Sequence, residues 1–179
     1  ENTIYPVAAS EPHLLYAGAA REDKGFGKVV EYLLYLDTLN LKWPASVQCA
    51  ASGNKSDGEL DSVCRDNLIR LKAQLPSFVD LKENTLATNE FRNQFQGAIC
   101  LLLYDRVAYR DKFSAVALQA MQCGAPIITV RDTWMGDLVS FHGSGELVDG
   151  NEIGELHSAV KKVRSNYTDY RKRAIAAGK

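Results

Sequence analysis

Residues 98–104 read AICLLLY, an almost unbroken apolar run. A strand without polar alternation is buried on both faces, as happens in a parallel sheet covered by helices above and below. The next thirty residues strengthen that expectation. A polar loop, YDRVAYRDKFS, leads to Ser114, whose side chain can cap the first amides of a helix over 114–123. Gly124 supplies the left-handed residue that closes such a helix, and Pro126 prevents its continuation. Residues 127–130, IITV, are the next β-branched strand. Strand, loop, helix, tight turn and strand in this order make one unit of a parallel α/β sheet.

The rest of the chain repeats that alternation. Residues 1–12, with Pro6 and Pro12, read as a linker into the first strand, HLLYA, over 13–17. A polar turn, GAAREDKGFG, precedes a predicted helix in which Val29, Val30, Leu33, Leu34 and Leu36 recur at helical spacing. ASVQCAA over 45–51 is the second strand, and SGNKSDG after it is a flexible turn by composition. A helix over 59–75 places Leu60, Val63, Cys64, Leu68, Ile69 and Leu71 near one side, and Pro76 stops it. SFVDL over 77–81 is a short strand, and 85–95 a short helix with Thr88 or Asn89 as its cap. WMGDLV is a short helix, GELVDG a short edge strand, and 151–179 two closing helices. The expectation is a single Rossmann-like, three-layer α/β/α sandwich over 1–179 with a parallel sheet. Its strand-to-helix loops share one edge, the carboxyl edge, where such sheets bind ligands.

Composition excludes several other classes. A chain of 179 residues, 46% hydrophobic and 24% charged, suits a soluble globular domain. A net charge of −1 gives no electrostatic reason for nucleic-acid binding. No apolar stretch is long enough to span a bilayer, and no signal peptide is visible. Cys49, Cys64, Cys100 and Cys123 form no CxxC pair and are expected as reduced thiols in a cytoplasmic protein. His13, His142 and His157 are too scattered for a metal site. The start at Glu1, without methionine, suits a piece of a longer protein.

Two polar loops carry the candidate chemistry. In the first, Arg21 and Lys24 stand between a strand and a helix, with Gly25 and Gly27 allowing close backbone approach. Arginine can take a phosphate bidentately, and lysine binds one as a point charge. The plainer alternative is a solvated turn whose cations pair with Glu22 and Asp23. The pattern is neither GxGxxG nor GxxxxGK[ST], so a dinucleotide fingerprint and a P-loop are both absent. In the second loop, the helix start at Ser114 and Ala115 offers free amides and a positive dipole end to an anion. Gln119 is four residues beyond Ala115 on the same helix face, within reach of a sugar hydroxyl. The plainer alternative is a serine that only caps.

Together these residues resemble a known family. Gly18 to Gly25, between strand and helix, looks like the G…KG turn in the carboxyl-terminal domain of GT-B glycosyltransferases. DKFSAVALQAM followed by GAPII resembles EGFGLxxxEAMAxGxPVV of retaining glycosyltransferases of family 4, and the intervening elements follow the same order. The resemblance runs from about His13 to the end. It implies one half of a GT-B enzyme: the domain that binds a nucleotide-diphosphate sugar, UDP- or GDP-linked. The whole enzyme would transfer a hexose to a saccharide or lipid acceptor with retention, without a bound metal or other cofactor. The acceptor, and any peripheral membrane contact, would belong to an amino-terminal domain outside this chain. The resemblance gives Lys24 and the amides of Ser114 and Ala115 to the donor diphosphate, with Gly18 at the turn. It gives Gln119 to the ribose and Asp111 to the donor sugar. The family arginine after the glycine is Ala19 here, and Arg21 is the nearest replacement. The catalytic set is thus Asp111, Lys24 and Arg21.

The departures at Ala19, Asp111, Ser114 and Gln119 also fit a non-catalytic GT-B binding module. A nucleotide-sugar epimerase domain is a third reading, with only His142 and Asp132 to build on, and a receiver-like domain a weaker fourth. Tyr104, Asp105 and Tyr109 are candidates for base or ribose contacts, with strand anchoring as the alternative for Tyr104. Trp134 and Met135 are expected to cap the core, Arg131 to pair with Asp132, and Lys161, Lys162 and Arg164 to form a solvated helix face. Tyr167 and Tyr170 are expected to pack toward the absent domain.

Overall fold

Burial of the 98–104 run requires partners on both edges and both faces, and the computed structural model supplies them. It describes residues 11–49 and 62–179. The strands are β1 His13–Gly18, β2 Ala45–Cys49, β3 Val79–Lys82, β4 Ala98–Leu102, β5 Ile127–Val130 and β6 Gly145–Val148. They form one six-stranded sheet in the order β3-β2-β1-β4-β5-β6, every neighbouring pair parallel. The helices are α1 Phe26–Thr38, α2 Ser62–Ala73, α3 Thr88–Asn93, α4 Ala115–Gln122, α5 Trp134–His142, α6 Ile153–Ser165 and α7 Tyr167–Ala177. The expected three-layer α/β/α sandwich is the architecture found.

Side chains alternate across each strand, so the sheet divides its core in two. On one face, Leu14 and Tyr16 of β1, Val47 of β2, and Ile99 and Leu101 of β4 pack with α1, α2 and α6. On the other, Leu15, Cys100, Leu102 and Ile127 pack with Phe95, α4 and α5. All five apolar positions expected to line α1 are buried. Each large side chain removed from water contributes roughly 1.5–3 kcal/mol, which makes these two clusters the main support of the sheet.

Several local expectations change. The turn over 52–58 and the start of the second helix lie outside the described residues. In α2 the buried set is Cys64, Leu68 and Leu71, spaced i, i+4, i+7, while Val63 and Ile69 are 48% and 58% exposed. A helix buries a narrow stripe against a flat sheet, and these two fall beside it. Helix α3 is capped at Ala87 rather than Thr88 or Asn89, and the Glu90 carboxylate accepts the Ala87 N–H at 3.2 Å. Arg164 is not solvated: its side chain is 10% exposed, lies 4.5 Å over the Trp43 ring and donates to the Pro12 carbonyl at 2.7 Å. Tyr167 and Tyr170 both make contacts within this chain. Tyr170 is buried and donates to Glu146, and Tyr167 donates to the Ala98 carbonyl at 3.3 Å. Cys49, Cys64 and Cys100 are buried, and none of the four cysteines forms a disulfide.

Two histidines brace the amino-terminal side of the sheet. His13 Nε2 donates to the Gln94 carbonyl at 3.0 Å, and His157 lies stacked on Trp43 at 5.4 Å and hydrogen-bonded to the Tyr32 hydroxyl. Burial holds both below the ordinary imidazole value of 6.5, with Lys82 and Lys161 adding repulsion. Below pH 6.5 the unfolded chain therefore binds protons that the folded chain resists, and stability falls. Urea midpoints should be flat from about pH 7 to 8 and decline on acidification through about pH 6, and His13→Gln should flatten that decline.

Candidate functional site

The strand order reverses between β1 and β4, and this opens a crevice at their carboxyl ends. Both loops singled out from the sequence leave from those two strands. In the first, Gly18 has φ 136°, which permits the sharp exit from β1, and its N–H donates to Gln48 Oε1 at 3.2 Å. The Tyr16 hydroxyl donates to the Ala19 carbonyl at 2.8 Å. Glu22–Lys24 then form one turn of 3-10 helix, closed by Gly25 at φ 69°. The position a Gly18 Cβ would take is 3.8 Å from Lys24 Nζ, so the ammonium stands over the end of β1. Arg21 donates twice to Asp23, from Nε at 2.8 Å and Nη2 at 2.6 Å.

The second loop is tied to the first by its backbone. The Asp105 N–H donates to the Asp23 carbonyl at 2.8 Å. A Cβ on Gly25 would lie 2.1 Å from the Leu103 carbonyl oxygen, so α1 can start against β4 only with glycine there. Asp105 also bonds the Ala108 N–H through its side chain at 2.7 Å, and the Tyr109 carbonyl accepts from the Trp134 N–H at 3.0 Å. Three strand-to-helix loops are thus linked along one rim.

Tyr104 and Tyr109 fill the space between the cationic turn and the start of α4, with ring centres 4.5 Å apart. Burial raises Tyr109, the Asp23 charge adds to that, and Arg21 opposes it, which puts this ring beside the ion pair. Burial pushes Tyr104 up to about 12, opposed by the neighbouring Ser114 side chain. Tyr104 is 1% exposed and its hydroxyl lacks a well-formed hydrogen bond. It is core under the crevice, the strand-anchoring alternative, in one cluster with Leu102 and Cys100. Ser114 caps α4 as expected, its Oγ accepting the Ala117 N–H at 3.2 Å, and Ala115 is exposed at the first helical position. Asp111 is exposed in the loop before it. Gln119 is half-buried, and its amide donates to Cys123 Sγ at 3.3 Å, toward the far end of the helix.

A group beyond these extends the rim. Arg106 reaches Asp132 at 3.4 Å and Asp149 at 3.5 Å, and Arg131 reaches Asp149 at 3.2 Å and Glu155 at 3.6 Å. The expected Arg131–Asp132 pair is replaced: Asp132, at φ 56°, meets Arg106, and Arg131 meets Asp149 and Glu155. Met135 is buried as expected, and Trp134 packs edge-on to Phe113 at 6.4 Å. Gln48 is a support that the sequence reading missed, and its signal was a long amide side chain inside the buried strand ASVQC. A groove of about 620 Å³ lies elsewhere, beside His13, Ser46, Asp80 and Gln94. It contains none of the loop residues, and its polar groups bond one another: Ser46 to Gln94 at 3.0 Å, Lys82 to Asp80 at 2.9 Å. Among the described residues no group of three or more acidic, histidine or cysteine side chains could hold a metal ion. No described helix is long and apolar enough to cross a membrane.

Neither a family model nor a curated protein sequence matches the chain. Solved structures do. A sucrose-phosphate synthase from Thermosynechococcus elongatus superposes with TM-score 0.71 at 18% identity, over 96% of this chain and 42% of that one. The C-terminal domain of a glycosyl transferase group 1 family protein from Francisella tularensis gives 0.67 at 17% identity, over 93% and 82%. A UDP-forming α,α-trehalose-phosphate synthase from Burkholderia vietnamiensis gives 0.70 at 10%, over 93% and 40%. The chain shares its fold with the matched parts of these three structures, and it spans less than half the length of the two synthases.

The rim is expected to be sensitive to small changes. Ser114→Ala should cost about 1 kcal/mol in urea unfolding through loss of the cap. Gly25→Ala should cost about 3 kcal/mol, since both its φ and the Leu103 carbonyl oppose a Cβ. A neutral Gly25→Ala would show that the two loops are not held against each other.

Proposed function

We propose that this chain is the donor-binding half of a retaining glycosyltransferase and that a nucleotide-diphosphate sugar occupies the crevice between β1 and β4. The observation that carries the reading is the union of a cationic turn and a capped helix start at the reversal of strand order, joined through Asp23 and Asp105. Cations and exposed amides converging on one crevice suit a diphosphate, and an anion at a helix start gains from its dipole. The fold shared with sugar-transferring synthases adds to this.

Lys24 and Arg21 would neutralise the diphosphate, with the amides of Ser114 and Ala115 opposite them and Gly18 leaving room for the phosphates. Stabilising the departing diphosphate is the electrostatic contribution this half can make to bond cleavage. Gln119 would take the ribose by exchanging its Cys123 contact, and Asp111, exposed before α4, would meet the hexose. Tyr104 holds the platform beneath. The nucleoside is uridine or guanosine, and no resident cofactor is needed. The acceptor, a saccharide or a lipid, would enter against an amino-terminal domain of a longer cytoplasmic enzyme, through which any membrane contact would be made. A second reading, a binding module without transfer activity, is favoured by the occupied states of Arg21 and Gln119 and by Ala19 at the family's arginine position.

Calorimetric titration with UDP, GDP and ADP tests both. One nucleotide should bind, and Lys24→Ala should weaken it by roughly tenfold, the loss of one charge-assisted phosphate contact. Absence of binding to all three at millimolar ligand would reject the donor-site reading for this chain.

A further inference from the structure

The cation that a phosphate would need in the first loop already has an anionic partner. Arg21 presents its Nε and Nη2 edge to Asp23 with two short bonds, 2.8 and 2.6 Å. That edge has the fork geometry with which arginine takes a phosphate. The other ion pairs of this rim, those of Arg106 and Arg131, are single contacts at 3.2 to 3.6 Å. The backbone sets the arrangement. Arg21 stands extended just before the 3-10 turn, and Asp23 lies within it, two residues on. The Asp23 carbonyl is held by the Asp105 N–H, so the carboxylate is carried on an anchored residue. The pair stays accessible, with side chains 51% and 27% exposed, so a ligand can exchange with it without unfolding the loop.

We propose that Asp23 is a built-in competitor for the diphosphate: its carboxylate holds the edge of Arg21 that a phosphate must take, weakening capture of the diphosphate and easing its release. The idea rests on the donor-site reading and adds a regulating residue to it. Binding becomes an exchange of one anion for another at Arg21, and the re-formed pair with Asp23 accompanies departure of the ligand. Lys24, the neighbouring cation, supplies attraction that the exchange at Arg21 leaves unchanged. Asp23 thus sets how tightly the cradle holds, without touching the sugar or the base.

The test titrates the 179-residue chain with pyrophosphate and with UDP, GDP and ADP, as wild type, Asp23→Asn, Arg21→Ala and the double variant. Asp23→Asn should bind about two- to fivefold tighter, the range of one exposed ion pair. The gain should vanish in the Arg21→Ala background. A gain that survives there is plain repulsion between Asp23 and phosphate, and it overturns the proposal. Unchanged or weaker binding by Asp23→Asn also overturns it, weaker binding meaning that Asp23 orients Arg21 for the ligand. If the wild type binds and depends on Lys24 but Asp23→Asn gives no gain, only the competitor idea fails. If no variant binds any of the four, the donor-site reading fails and this one with it. Asp23→Ser repeats the comparison with a shorter neutral side chain should the asparagine disturb the turn.

Discussion

The parallel pairing of β1 with β4 is the constraint on which the rest depends. His13, Leu14 and Leu15 stand opposite Ala98, Ile99 and Cys100. Parallel neighbours cannot be joined by a hairpin, so the chain between them must leave the sheet and return. It does so by building β2 and β3 outward on one side, and β5 and β6 follow outward on the other. The seam is therefore the one place where successive loops diverge to opposite faces. A crevice there follows from topology, whatever residues line it.

What makes this crevice chemical is how its walls are tied. The first loop lends a carbonyl, Asp23, and the second an amide, Asp105. Gly25 lets α1 begin against Leu103, and the Tyr104–Tyr109 pair packs beneath. The loop with the cations and the loop that leads to the start of α4 are thereby joined above one aromatic floor. The same closeness makes the rim self-satisfying: Arg21 turns to Asp23, Arg106 and Arg131 to Asp149, and Gln119 to Cys123. On the donor-site reading proposed above, recognition at such a rim would be an exchange between partners, in which the acidic residues of the loops matter as much as the basic ones.

Much of this was legible in the sequence because the signals were local. Ser114, Gly124 and Pro126 bound α4 through cap and turn chemistry that needs no tertiary partner. The unbroken apolar run of β4 announced burial on both faces, and the five apolar positions of α1 are all inside. The same local reading failed where a long side chain had a choice of partner. Arg164 looked like one of three solvated cations and lies instead on Trp43, brought near from 121 positions away by the return of α6 to the sheet. Arg131 bonds Asp149 and Glu155 across a strand end rather than its neighbour, partners that lie 18 and 24 positions away in the chain.

The division between the two sources of information has a physical cause. Periodicity, capping and turn residues act over a few positions, so the sequence alone determined the order of strands and helices, the parallel class and the two loops at one edge. Placement of side chains depends on contacts between residues far apart, and only the tertiary structure decided those. Tyr104 is part of the buried floor because β4 lies between β1 and β5. Gln48 became a prop for Gly18 because β2 runs beside β1. The carbonyl of Asp23 met the amide of Asp105 because the two loops leave adjacent strands at the same edge, a closeness that a separation of 82 positions conceals.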